Sequence, residues 1–202
     1  MNPSHASTLD RFAHAGFDDA VLGQGLPADA EDALREAGRL RADPSAAMAA
    51  LMRARALAPE HPAVLIAFYR HHFYGHRLRA ARDVARQALR IGAQRLGLPA
   101  LWREVPEHPL PGARDDAATR FYLFVLKGYA YLSLRLGDSA EARQALAKLR
   151  TLDPQDCVGG ALLEAVRQRH ERQLYAPDAD DDGPALPVFG AAAWARVAEA
   201  GA

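Results

Sequence analysis

Most of the features that would announce an activity are missing from this sequence. A single cysteine, Cys157, in 202 residues cannot close an internal disulfide. No run approaches the roughly 20 apolar residues a membrane-spanning helix needs, and the N-terminus lacks an apolar signal core. The expectation is a soluble, cytoplasmic protein with no membrane partner. Net charge is missing as well: 25 Lys+Arg stand against 25 Asp+Glu, so no global field draws the chain to nucleic acid. None of GxxxxGKS, GxxxxGKT, GxSxG, HExxH or GxGxxG occurs. That removes the common phosphate cradles, nucleophile elbows and zinc-protease helices. The chain is expected to be neither an enzyme nor a cofactor carrier.

Ala and Leu dominate instead. Half of the residues are hydrophobic and only 7% are aromatic, which favours helices built around small side chains. The organising stretch runs from Phe121 to Asp156, FYLFVLKGYAYLSLRLGDSAEARQALAKLRTLDPQD. Apolar residues crowd all sides of its first half, so a helix there is buried between neighbours. Gly137-Asp138-Ser139 interrupts it, with Gly suited to a left-handed closing residue and Asp or Ser to capping the second helix. Ala142, Leu146 and Leu149 then form one stripe, and Pro154 stops that helix.

The pattern recurs. Ala47, Leu51, Ala54 and Pro59 reproduce Ala142, Leu146, Leu149 and Pro154, and Ala81, Ala85 and Ala88 lie 34 residues after the first three (81 − 47 = 34). With Ala130, Gly137, Ala142 and Pro154 in place, the chain resembles the tetratricopeptide repeat, a helix-turn-helix unit of about 34 residues. The resemblance implies an all-α, short right-handed superhelical solenoid. Its units lie near 28–61, 62–95 and 123–156, with a proline-rich insert at 96–116 and a capping helix at 157–174. Residues 1–27 are expected to be an arm, and 176–202 an acidic linker and C-terminal arm. Departures from the family pattern are Ala42 for the turn glycine of the first unit, Gly75 one residue early, Tyr69 at a normally small position, and Ala93 where proline would end the second unit. The FYxFxLKGYAYLxLRLGD segment and LGLPxxW insert also resemble small bacterial proteins of nitrogen-fixation gene regions. That implies a helper in nitrogenase assembly or protection.

Helices are expected at 28–41, 44–58, 62–74, 77–92, 117–135 and 139–152, with Asp43 capping the second and Pro44 at its first position. Pro99, Pro106, Pro109 and Pro111 keep the insert from forming a long helix. Trp102, Leu101 and Val105 argue that it is partly packed, either as a lid or as a binding loop. On the capping helix, Leu162, Leu163, Ala165 and Val166 are expected inward, and Arg167, Arg169, Glu171 and Arg172 outward.

Family groove positions carried onto this sequence are Ile66, Arg70, Phe73, Tyr74, Phe124, Lys127, Tyr131 and Arg135. Rings with arginine and lysine among them suit an extended, acidic peptide of a protein partner. The chain's own Asp178, Asp180, Asp181 and Asp182 offer a self-docking alternative. The rivals are weaker on chemistry. His72 and His76 are four apart, as metal ligands on a helix can be, and with His108 would make a metallochaperone or metal-dependent enzyme, but Gly75 interrupts the helix between them. A secretion-type chaperone is a third reading. Arg82, Arg86 and Arg90 form a row that could touch nucleic acid, yet Asp83 beside them fits a solvated face. Cys157 reads as a buried, inert thiol, and Glu31-Asp32 as partners of a helix dipole.

Overall fold

The computed structural model describes residues 25–175; the expected N-terminal arm up to Gln24, the acidic run Asp178–Asp182 and the arm to Ala202 lie outside them. Among the described residues the chain is all helical, with no strand. The helices are α1 (Ala28–Arg39), α2 (Pro44–Leu57), α3 (Pro62–Tyr74), α4 (Leu78–Arg95), α5 (Ala117–Arg135), α6 (Ser139–Leu152) and α7 (Gly160–Tyr175), plus one 3₁₀ turn at Trp102–Glu104. Each helix lies against the next along the chain, and α7 also touches α5.

Local chemistry sets most of the boundaries. Asp43 accepts hydrogen bonds from the Ser45 and Ala46 amides at the start of α2, with Pro44 at the first helical position, where no amide donor is needed. These bonds, the Ser45 hydroxyl foremost, hold the Asp43 carboxyl below its usual range. Gly137 closes α5 at φ 78°, the left-handed conformation glycine adopts without cost. Asp138 stands at the N-cap of α6, but its side chain makes no capping bond. Its carboxylate instead accepts from Arg82 at 3.1 Å and ties the α5–α6 turn to α4. Gly75 has an ordinary φ of −78°, and the left-handed residue after α3 is His76 at φ 56°. With Ala93 in place of a terminating proline, α4 runs on to Arg95.

Small residues carry the packing. Ala81, Ala85, Ala88 and Gly92 succeed one another along a single stripe of α4, and the three alanines are buried. A methyl group added at Gly92 would stand 3.3 Å from the Tyr122 ring and 3.4 Å from that of Phe121. Ala130 and Ala142 are fully buried between α5 and α6. The bulky Tyr69 of α3 is accommodated by Gly128 of α5, whose added Cβ would sit 3.2 Å from the tyrosine hydroxyl. Two α4–α5 side chains, Leu89 and Leu126, complete a core with Leu123, Leu132, Leu146, Leu149 and Leu152.

The insert leaves this stacking intact because it folds along α6. Leu110 donates its amide to Leu152 O at 2.9 Å, and Lys148 donates to Val105 O at 2.6 Å. Trp102 and Val105 are buried, and Trp102 lies 6.1 Å from the Tyr129 ring. Arg103 pairs with Glu141 and bonds Gln144. Leu101 is exposed.

The register of α7 departs from expectation. Leu163 and Arg167, four apart, are buried, whereas Leu162 and Ala165 are exposed. A guanidinium can be buried there because Glu164 and Glu171 bracket it at 2.8 and 2.6 Å. Arg167 in turn lowers the Glu164 carboxyl pKa.

Two consequences can be measured. Ala85→Leu would overfill the α4–α5 contact and should cost about 1–3 kcal/mol, read as a lower urea midpoint. Tyr122 is fully buried with no partner for its hydroxyl among the described residues, and burial pushes its pKa from 10.0 up to about 12. A raised folded-state pKa stabilises fully below the unfolded value, and that stability is lost as pH rises through the folded one. Stability should therefore fall between pH 10 and about 12, and Tyr122→Phe should make that fall shallower.

Candidate functional site

The predicted site residues come from two helices, and the structure brings those helices side by side. Tyr69 meets Gly128, and Phe73 meets Tyr131 with ring centroids 5.9 Å apart. Residue numbers rise together along both contacts, so α3 and α5 run parallel. Near their C-terminal ends the rings form a continuous patch. Tyr69 stacks on Phe73 at 5.9 Å with an interplanar angle of 5°, and Phe73 meets Tyr74 edge-on at 5.4 Å. Arg135 lies over the Tyr131 ring at 5.7 Å and donates to its hydroxyl at 2.8 Å. A guanidinium anchored to a ring and its hydroxyl is already oriented, so less freedom is lost when it meets a carboxylate.

Of the eight carried-over positions, Tyr74 is 53% exposed, while Ile66, Arg70, Phe73, Phe124, Lys127, Tyr131 and Arg135 are half-buried. Ile66 belongs to a separate apolar cluster with Leu65, Ala88, Ile91 and Phe121, away from the ring patch. Lys127 has a structural engagement. Its ammonium donates to Val158 O in the α6–α7 turn and sits 5.0 Å over the Phe124 ring. Burial lowers its pKa, while Asp156 and Asp153 oppose that shift. The same turn is held by Asp153, which accepts from the Cys157 and Val158 amides at 3.0 Å, and by Asp156, which accepts from Gly160 and Ala161. Cys157 is half-buried, not fully so. Arg135 is therefore the cation seated on the ring patch.

Charge is mixed at the edge of this face, where Asp156 and Asp153 act on Lys127, but the two helices themselves are basic. Neither α3 nor α5 contains an Asp or Glu within its bounds. The two glutamates of α7, Glu164 and Glu171, are both taken by Arg167. His71 and His72, side by side at the end of α3, have pKa values lowered by burial and then by Arg77, so they are neutral at pH 7. The insert touches Tyr129 and α6, and the contacts it makes there leave the Phe73–Tyr131 patch to one side.

Repeat spacing does not single out Gly128. Its signal in the sequence is the bulky Tyr69 at a position where the repeat wants a small residue, since that mismatch requires space on the facing helix. The metal reading gains nothing: among the described residues no group of three His, Cys, Asp or Glu side chains could hold an ion. His108 bonds its neighbour Pro109 at 3.2 Å. In the arginine row, Arg82 is paired with Asp138 and Arg86 with Asp83 at 2.8 Å, and Arg86 also covers the Tyr129 ring. No described helix is long and apolar enough to cross a membrane.

Replacing Lys127 by Met would strand the Val158 carbonyl. Loss of a charged hydrogen bond of this kind should cost about 1–3 kcal/mol, and amide exchange at 157–161 should speed up more than in α1 or α2.

No family model matches the chain, and no solved structure matches it significantly. A protein described as "Uncharacterized 19.8 kDa protein in nifW 5'region", from Azotobacter chroococcum mcd 1, is 39% identical over 126 residues, covering 61% of this chain and 71% of the relative. With that identity across more than two thirds of the relative, the chain belongs to the same family as this Azotobacter protein of a nitrogen-fixation gene region.

Proposed function

We propose that the protein is a non-enzymatic cytoplasmic adaptor or assembly factor: a short right-handed stack of tetratricopeptide-like helix pairs whose concave groove holds an extended segment of a protein partner. Its role is to help assemble or protect nitrogenase. The observation that carries the binding reading is the ring patch of Tyr69, Phe73, Tyr74 and Tyr131, with Arg135 on the Tyr131 ring, on two helices that contain no Asp or Glu. Rings and arginine are the side chains that dominate binding energy where proteins meet. The parallel course of α3 and α5, each packed against a companion helix next in the chain, supports the stacked-pair arrangement. The nitrogen-fixation role rests on the gene region named for the Azotobacter relative.

The test is genetic and uses the intact chain. In a nitrogen-fixing host deleted for its own copy, acetylene reduction should fall, and the wild-type chain should restore it. Phe73→Ala combined with Tyr131→Ala, at equal protein level, should restore less than about a tenth of the lost activity, the loss expected when two interface rings worth about 1 kcal/mol or more each are removed. Unchanged acetylene reduction in the deletion strain would overturn the nitrogenase role. Full rescue by the double variant would overturn the groove.

A further inference from the structure

Each of α2 to α6 lies between the helix before it and the helix after it, whereas α7 lies against α6 and α5 and no described helix follows it. Its inner side is satisfied, with Leu163 and Arg167 buried. Outward, the first two turns of α7 are apolar: Ala161 and Ala165 are exposed, Val166 is half-buried, and Leu162 is 51% exposed. Leu162, Ala165 and Val166 stand at i, i+3 and i+4, so they form one stripe. A helix that ends a stack has to hide its last apolar surface or make it polar, and among the described residues this stripe is left open. The sequence beyond Tyr175 supplies a cover. No charged residue occurs from Gly183 to Ala195, and that stretch holds Leu186, Val188, Phe189 and Trp194. Apolar surface of that extent is unfavourable to leave in water. Gly190, Ala193, Trp194 and Val197 carry the spacing of a stripe as well, one large ring among smaller neighbours. The tether is long enough. From Tyr175 back to Leu162 is 13 residues of α7 (175 − 162 = 13), about 20 Å at about 1.5 Å per residue. The 18 residues separating Tyr175 from Trp194 (193 − 175 = 18) reach about 60 Å when extended, about three times that distance. We propose that the chain's own residues 186–197 cover the Leu162–Ala165–Val166 stripe, with the Trp194 indole seated on Leu162 and Val166, and so close the C-terminal end of the stack. This goes beyond the groove reading and shares no residue with it.

The probe is Trp194 itself, in the full-length protein. The chain has two tryptophans, and subtracting the emission of Trp194→Phe from that of wild type leaves the Trp194 signal alone. That signal should be blue-shifted and quenched by acrylamide several-fold less than free N-acetyltryptophanamide, at every protein concentration. Leu162→Asp, measured against its own Trp194→Phe partner and with circular dichroism still helical, should shift the signal to the red and raise its quenching to that of the free amide. Leu162→Ala should move it part of the way, and Met52→Asp, at an exposed position of α2, should leave it unchanged. Free quenching of Trp194 in wild type would overturn the proposal, as would a shielded Trp194 that ignores Leu162→Asp. Shielding that appears only as protein concentration rises, together with a dimer in sedimentation, would assign the stripe to a second copy and overturn it as well.

Discussion

Close approach of helix backbones is the constraint on which the rest of this molecule depends. Where Ala81, Ala85, Ala88 and Gly92 of α4 meet α5, this stripe of α4 contributes nothing longer than a methyl, and the rings of Phe121 and Tyr122 pack directly on Gly92. Interiors packed to crystal-like density transmit such a constraint. With α4 and α5 held close, α6 and α7 stack on in turn, and the segment 96–116 between α4 and α5 is left to run along α6. An insertion of that length would split a looser stack. Here it becomes a brace, fastened by Lys148 to Val105 O and by Leu110 to Leu152 O.

The ring patch is a by-product of the same geometry. Gly128 of α5 admits Tyr69 of α3, and Phe121, Tyr122 and Tyr129 are taken up by α4 and the insert, which leaves Tyr131 to meet Phe73. Phe73, Tyr74, Tyr131 and Arg135 meet there because α3 and α5 run parallel, and neither helix contains an Asp or Glu.

Helix positions were legible in the sequence because capping chemistry is local: Asp43-Pro44, Pro62 and Gly137 act through bonds within a few residues. The path of the insert was not, since nothing local tells Trp102 that its neighbour will be Tyr129. The same limit applies to α7, where alternating apolar and charged residues placed Leu162 inside and Arg167 outside. Burial of Arg167 depends on Glu164 and Glu171 both reaching it, which is a property of side-chain geometry more than of hydropathy. Among the carried-over positions, repeat spacing placed Phe73 and Tyr131 on helices whose rings do meet, with Arg135 on the second ring. The engagement of Lys127 was not legible, because it depends on where the α6–α7 turn brings the carbonyl of Val158.

The contact of Tyr69 with Gly128 has a consequence for how this family can vary. A phenol on one helix and a bare backbone on the next fill a single volume between them, so neither position is free to drift alone. A descendant that shrinks the ring opens room for a methyl group opposite, and one that gains the methyl first obliges the ring to shift by a few tenths of an ångström. The two positions should therefore tend to vary together, and the shape of the aromatic wall with them.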